Sequence, residues 1–204
     1  MDILFIASFT YGAIEITVAC LLMQIVMDLS LSAKHFSKGQ YLEGVCEALL
    51  ASGHTLQAIP QLKVLEWKWK YNPNLTAELK QNERGFVYLD IPDEYVHSLF
   101  ELCDDPKAQL PPYFGENRSG AHISVILTSE MLAKNGLTIA DVGKKFTFRI
   151  AQMNSVKPDG WNEVDKVYFL TLSCPELESV RQRHGFSPKI QDHDFHLTFG
   201  ICKV

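Results

Sequence analysis

His122-Ile123-Ser124-Val125 and His196-Leu197-Thr198-Phe199 share one pattern: histidine, apolar, hydroxyl, apolar. Side chains alternate between the faces of a β-strand, so on a strand each histidine shares a face with its Ser or Thr. The apolar residues of each motif then point the other way, into a core. If the two strands are neighbours, two imidazoles and two hydroxyls converge on one point. Such a group of side chains suits holding a phosphate and moving protons on either side of it. The pattern therefore predicts adjacent strands with His122, Ser124, His196 and Thr198 on one face.

The residues around the motifs read as alternating strands and helices. Phe86 to Ile91 has strand character, and Pro92-Asp93-Glu94 supplies a proline and an acidic first turn for a helix carrying Val96, Leu99, Phe100 and Cys103 on one face. A Pro-rich loop, Pro111 to Gly120, leads into the first motif. Thr128 or Ser129 caps a short helix that stops at Asn135-Gly136. Lys145 to Val156 and Lys166 to Leu172 read as strands around the turn Pro158-Asp159-Gly160, and Pro175 opens a helix through about His184 before the second motif. This order predicts an α+β or α/β domain with helices packed on a sheet.

Upstream, the polar run Thr76 to Arg84 reads as a connector. Leu65, Trp67, Trp69 and Tyr71 alternate with Glu66, Lys68 and Lys70, the pattern of a half-buried strand. The same letters fit an edge strand with a charged outer face or a surface for single-stranded nucleic acid. Ala33 to Leu50 keeps helical spacing through Tyr41, Val45 and Leu49, with Gly53 as a stop. Ile3 to Met27 has Glu15 as its only charge, and as a helix it extends roughly 37 Å, enough to span a bilayer. A membrane helix and a buried or pairing helix both account for it. No Lys or Arg precedes Lys34, so the basic region of a signal peptide is missing, and Lys34 and Lys38 would put the C-terminal side in the cytoplasm. The expected organisation is an apolar segment over 1–30, a helix and strand extension over 31–83, and the motif-bearing domain over 84–204.

Composition narrows the partners. A chain of 204 residues accommodates one substantial core and an extension. A net charge of -5 argues against duplex DNA binding but is compatible with a small phosphorylated ligand. The five cysteines are widely spaced and never form C-x-x-C, so a reducing, cytoplasmic setting fits better than a disulfide framework or a zinc site. Asp192-His193-Asp194-Phe195-His196 offers metal-ligand types, yet in a strand His193 and His196 face opposite sides, so no metal and no cofactor is expected. Tyr113 and Phe114 are candidates for stacking on a base, and Arg118 and Lys157 for balancing phosphate charge. His97 and His184 read as surface positions.

The paired motifs resemble the His-apolar-Ser/Thr-apolar signature of the 2H phosphoesterase superfamily, which includes RNA ligase-like and 2′,3′-cyclic nucleotide phosphodiesterases. Phe86-Val-Tyr-Leu-Asp-Ile-Pro-Asp-Glu is similar to the strand and helix start that open these domains. Val167-Tyr-Phe-Leu-Thr-Leu with Pro175-Glu-Leu is similar to the strand and helix before the second motif. The resemblance covers about Arg84 to Val204 and implies an α+β fold, a sheet with helices packed on it and a central cleft holding both motif strands. About 120 residues is short for this two-lobed fold, so a lobe is expected to be reduced or to recruit the Leu65 to Tyr71 strand.

An imidazole with a pKa near 6.5 populates both protonation states at neutral pH, so two of them can act as acid and base without a metal. The activity that the resemblance implies is hydrolysis of a 2′,3′-cyclic phosphate or a 2′-5′ linked oligonucleotide. His122 and His196 are the expected catalytic pair, in either assignment, and Ser124 and Thr198 the donors to the phosphate oxygens. The alternatives are a nucleotide- or RNA-binding module of the same fold with little turnover, and a membrane-attached interaction protein anchored through residues 3–27.

Overall fold

The structure, a computed structural model, describes residues 13–37, 48, 51, 59–115, 118–135 and 137–204. Residues 3–12 of the apolar stretch and most of the helix expected over Ala33 to Leu50 lie outside the described residues. The chain divides into two compact units, Met1–Lys70 and Tyr71–Val204.

In the first unit, α1 spans Ala13–Ser37. Among the described residues no helix is long and apolar enough to cross a membrane. A second helix, α2, covers 59–71, where the alternation of Trp and Lys predicted a strand. The same letters also satisfy the helical period: Gln61, Val64 and Leu65 are buried at i, i+3 and i+4, while Trp69 is 79% exposed.

The second unit is α+β, with two antiparallel four-stranded sheets. Its elements are β1 (Thr76–Gln81), β2 (Val87–Asp90), α3 (Asp93–Phe100), β3 (Ala108–Gln109), β4 (His122–Ile126), α4 (Thr128–Ala133), β5 (Lys145–Thr147), β6 (Arg149–Val156), β7 (Val164–Ser173), α5 (Pro175–Arg183) and β8 (Phe195–Lys203). One sheet has the order β4-β2-β1-β5 and the other β3-β8-β7-β6. The run expected to be a connector is β1, which buries Ala77 and Leu79 and pairs with both β2 and β5. It therefore takes a place in the first sheet that recruitment of Leu65 to Tyr71 was one of two ways to fill, the other being a reduced lobe. Alternation with only two apolar residues was too short to stand out against its polar neighbours.

The motif strands are not hydrogen-bonded neighbours. β4 is an edge of one sheet and β8 lies inside the other, and the two approach with Cα atoms within 8 Å of each other. The predicted alternation holds in both: Ile123 and Val125 are buried, as are Leu197 and Phe199, while the His, Ser and Thr positions are half-buried.

Each motif strand also carries a bulge at the same place. In β4, Ser124 pairs with Tyr88 and Ile126 with Val87, which leaves Val125 unpaired. In β8, Thr198 pairs with Phe169 and Gly200 with Tyr168, which leaves Phe199 unpaired. A bulge turns the following residue inward, so Ile126 and Gly200 are buried instead of exposed. Gly200 is required there by close approach: a Cβ on it would meet Cys103 Sγ at 2.5 Å.

Candidate active site

His122 is oriented by the turn that precedes it. Gly120 adopts φ +66, and a Cβ there would meet Asp93 Oδ1 at 2.7 Å, so both backbone and space call for glycine. Asp93, in the first turn of α3, accepts a hydrogen bond from the Ala121 N–H at 2.7 Å. This holds the Gly120 carbonyl 2.7 Å from His122 Nδ1, with Ser119 Oγ 3.2 Å from the same nitrogen. His196 repeats the arrangement, its Nδ1 lying 3.1 Å from the Asp194 carbonyl, again two residues upstream. A carbonyl only accepts, so each ring carries its proton on Nδ1 when neutral and leaves the Nε2 lone pair free.

The neighbouring strands repeat as well. Tyr88 on β2 lies opposite Ser124, and its ring meets His122 edge-on at 5.8 Å. Phe169 on β7 lies opposite Thr198, and its ring meets His196 edge-on at 5.6 Å. Phe86 adds a second edge contact to His122 at 5.3 Å. Burial lowers the His122 pKa below the ordinary imidazole value; the Gly120 hydrogen bond opposes the shift, and the charge of His196 adds to it.

Two side chains brace the bulges. The Tyr113 hydroxyl donates to the Thr198 carbonyl, while its ring lies 4.8 Å from His122. The residue read as a stacking candidate thus links the two motifs, and Phe114 packs against it and against His97, with ring centroids 4.9 and 5.1 Å away. Burial raises the Tyr113 pKa, so the hydroxyl remains a donor. On the other side, Arg181 of α5 is wholly buried and donates to the Val125 carbonyl at 2.6 Å, at the bulge of β4. It also grips Glu130 at 2.7 and 3.0 Å and the carbonyls of Ser187 and Lys189 on the way to β8.

The sequence reading missed Arg181, Tyr88, Phe169 and the pair Lys80–Asp90. Asp90 stands opposite His122 and accepts from Lys80 Nζ at 2.5 Å, which puts a cation on the face that carries the first motif. The alternation of Tyr88 and Asp90 with buried Val87 and Leu89 was the available signal for that face. Of the cations proposed for phosphate, Arg118 donates to the Pro112 carbonyl and Lys157 pairs with exposed Asp165 at 2.9 Å. His184 lies at the end of α5, 3.5 Å from Asp141. His193 sits in the turn before β8, and among the described residues no group of three or more His, Cys, Asp or Glu is placed to hold a metal ion.

Searches of the curated proteins and of the solved structures return no match. The family model of the Swiss Army Knife 2H phosphoesterase domain matches residues 87–204, from the start of β2 to the last residue and more than half of the chain. The repeated motif geometry lies wholly within those residues, and on this match the chain belongs to the 2H phosphoesterase superfamily.

Proposed function

We propose that the domain is a metal-independent phosphodiesterase that opens a 2′,3′-cyclic phosphate or a 2′-5′ linkage by two-histidine acid and base catalysis. Family membership supports a phosphoesterase-type function. The observation that carries the finer reading is the matched pair of Nδ1 contacts to the Gly120 and Asp194 carbonyls, which leave both Nε2 atoms free for proton transfer. His122 is the base, since burial favours its neutral form. Its Nε2 takes a proton from water, the water oxygen attacks phosphorus, and His196 gives a proton to the departing ribose oxygen. Ser124 and Thr198 donate to the non-bridging oxygens, where charge builds in the transition state.

A panel of 2′,3′-cyclic mononucleotides, cyclic-ended RNA and 2′-5′ oligoadenylate, with products separated chromatographically, tests the substrate class. Release of one phosphomonoester isomer from a cyclic substrate, or of mononucleotides from the 2′-5′ oligomer, is the expected result. Tight binding of every ligand without turnover would replace the enzyme by a binding module.

A further inference from the structure

Over residues 19–34 the polarity of α1 is inverted. Between Ala19 and Ala33 its one charged residue is Asp28, and Asp28 is turned inward, 2% exposed, accepting from Gln24 Nε2 at 2.7 Å. Ser32 is buried beside it in the helical repeat. The large apolar side chains face outward: Met23 is 61% exposed, Val26 63% and Met27 52%, with Leu22, Leu29 and Leu31 also exposed. A water-facing helix has the opposite arrangement, with its charges outside and its apolar stripe within.

The width of the apolar arc identifies what covers it. At about 100° per residue, the exposed positions from Ala19 to Leu31 sweep about 200° of the helix circumference, with Ser30 the only polar side chain among them. Pairing with one other helix uses a narrower seam, two positions in each heptad. An arc covering more than half the circumference calls for a surrounding apolar medium. We infer that the outward arc of α1, Leu22, Met23, Val26, Met27, Leu29 and Leu31, is seated in the hydrocarbon of a phospholipid bilayer and attaches the chain to a membrane surface. No cation lies on the arc before Lys34, at its C-terminal end, so attachment is hydrophobic and does not depend on anionic lipid.

Flotation of the full chain with phosphatidylcholine vesicles on a density gradient tests this. The chain is expected to float with the vesicles, equally at low and high salt and with or without added phosphatidylserine. The triple substitution Met23→Gln, Val26→Gln, Met27→Gln is expected to stay in the dense fraction with unchanged circular dichroism and unchanged phosphodiester hydrolysis. Because the altered side chains are exposed, folding is not at stake; Leu22→Gln with Leu29→Gln provides an independent variant on the same arc. Wild-type protein remaining in the dense fraction overturns the inference. In that case a dimer by light scattering would identify a second copy as the cover, and a monomer would identify another part of the chain. Flotation unaffected by both variants overturns it as well.

Discussion

The Tyr113 hydroxyl donates to the backbone carbonyl of Thr198, so a ring packed on His122 is fastened to the strand that carries His196. Tyr113→Phe keeps the ring and removes the bond. A buried carbonyl left without its donor costs about 1–3 kcal/mol, which urea denaturation will register. Turnover is expected to fall more than KM rises, because the substitution loosens the spacing of the motifs without touching the ligand. Unchanged kcat would remove Tyr113 from the positioning of the site.

Arg181 holds the bulge of β4 from beneath, through the Val125 carbonyl and Glu130. Arg181→Ala strands a carboxylate and several carbonyls, and is expected to cost about 3–5 kcal/mol of stability. The pair also leaves a pH signature. Burial would raise the Glu130 pKa, but the hydrogen bonds from Arg181 and the Leu127 N–H outweigh it and leave it lowered. Its stabilising contribution is therefore full above the ordinary carboxylate value and lost as pH falls through the lower folded value. Glu130→Gln should be less stable at neutral pH and lose less on acidification, as read by denaturation between pH 7 and pH 3.

The lowered pKa of His122 fixes the sign of the activity profile. A base must be neutral, and a buried imidazole stays neutral at lower pH, so the acid limb of kcat/KM should fall below the ordinary value of about 6.5. A limb at or above that value in initial-rate measurements would transfer the base role to His196.

In the proposed mechanism, Ser124→Ala and Thr198→Val each remove one donor to the phosphate and leave the strands intact. Each is expected to lower kcat by about 10²–10³ with a smaller change in KM. Equal losses in both parameters would mean that the hydroxyls bind the ground state as firmly as the transition state.

The motif strands were legible because their alternation is strict and one face is buried: Ile123, Val125, Leu197 and Phe199 announce both strands. The separation of β4 and β8 into two sheets was not, since a strand's letters record which face is buried and not which strand lies beside it. The bulges at Val125 and Phe199 are equally silent, as both residues read as ordinary inward positions. Arg181 was passed over because nothing in the letters of its charged helix sets it apart; its partners are carbonyls of Val125, Ser187 and Lys189 in other elements. α2 was misread because Leu65 and Trp67 are buried in either period, and tertiary packing chose the helix.

The central claim is that His122 and His196 act on one phosphate. It is tested most directly by the hydrolysis of a 2′,3′-cyclic nucleotide in EDTA by wild type, His122→Ala and His196→Ala, with folding of each checked by circular dichroism. The account predicts turnover by the wild type, and a loss of at least about 10²-fold in each variant, since each histidine transfers a different proton. Turnover surviving in either folded variant would contradict it.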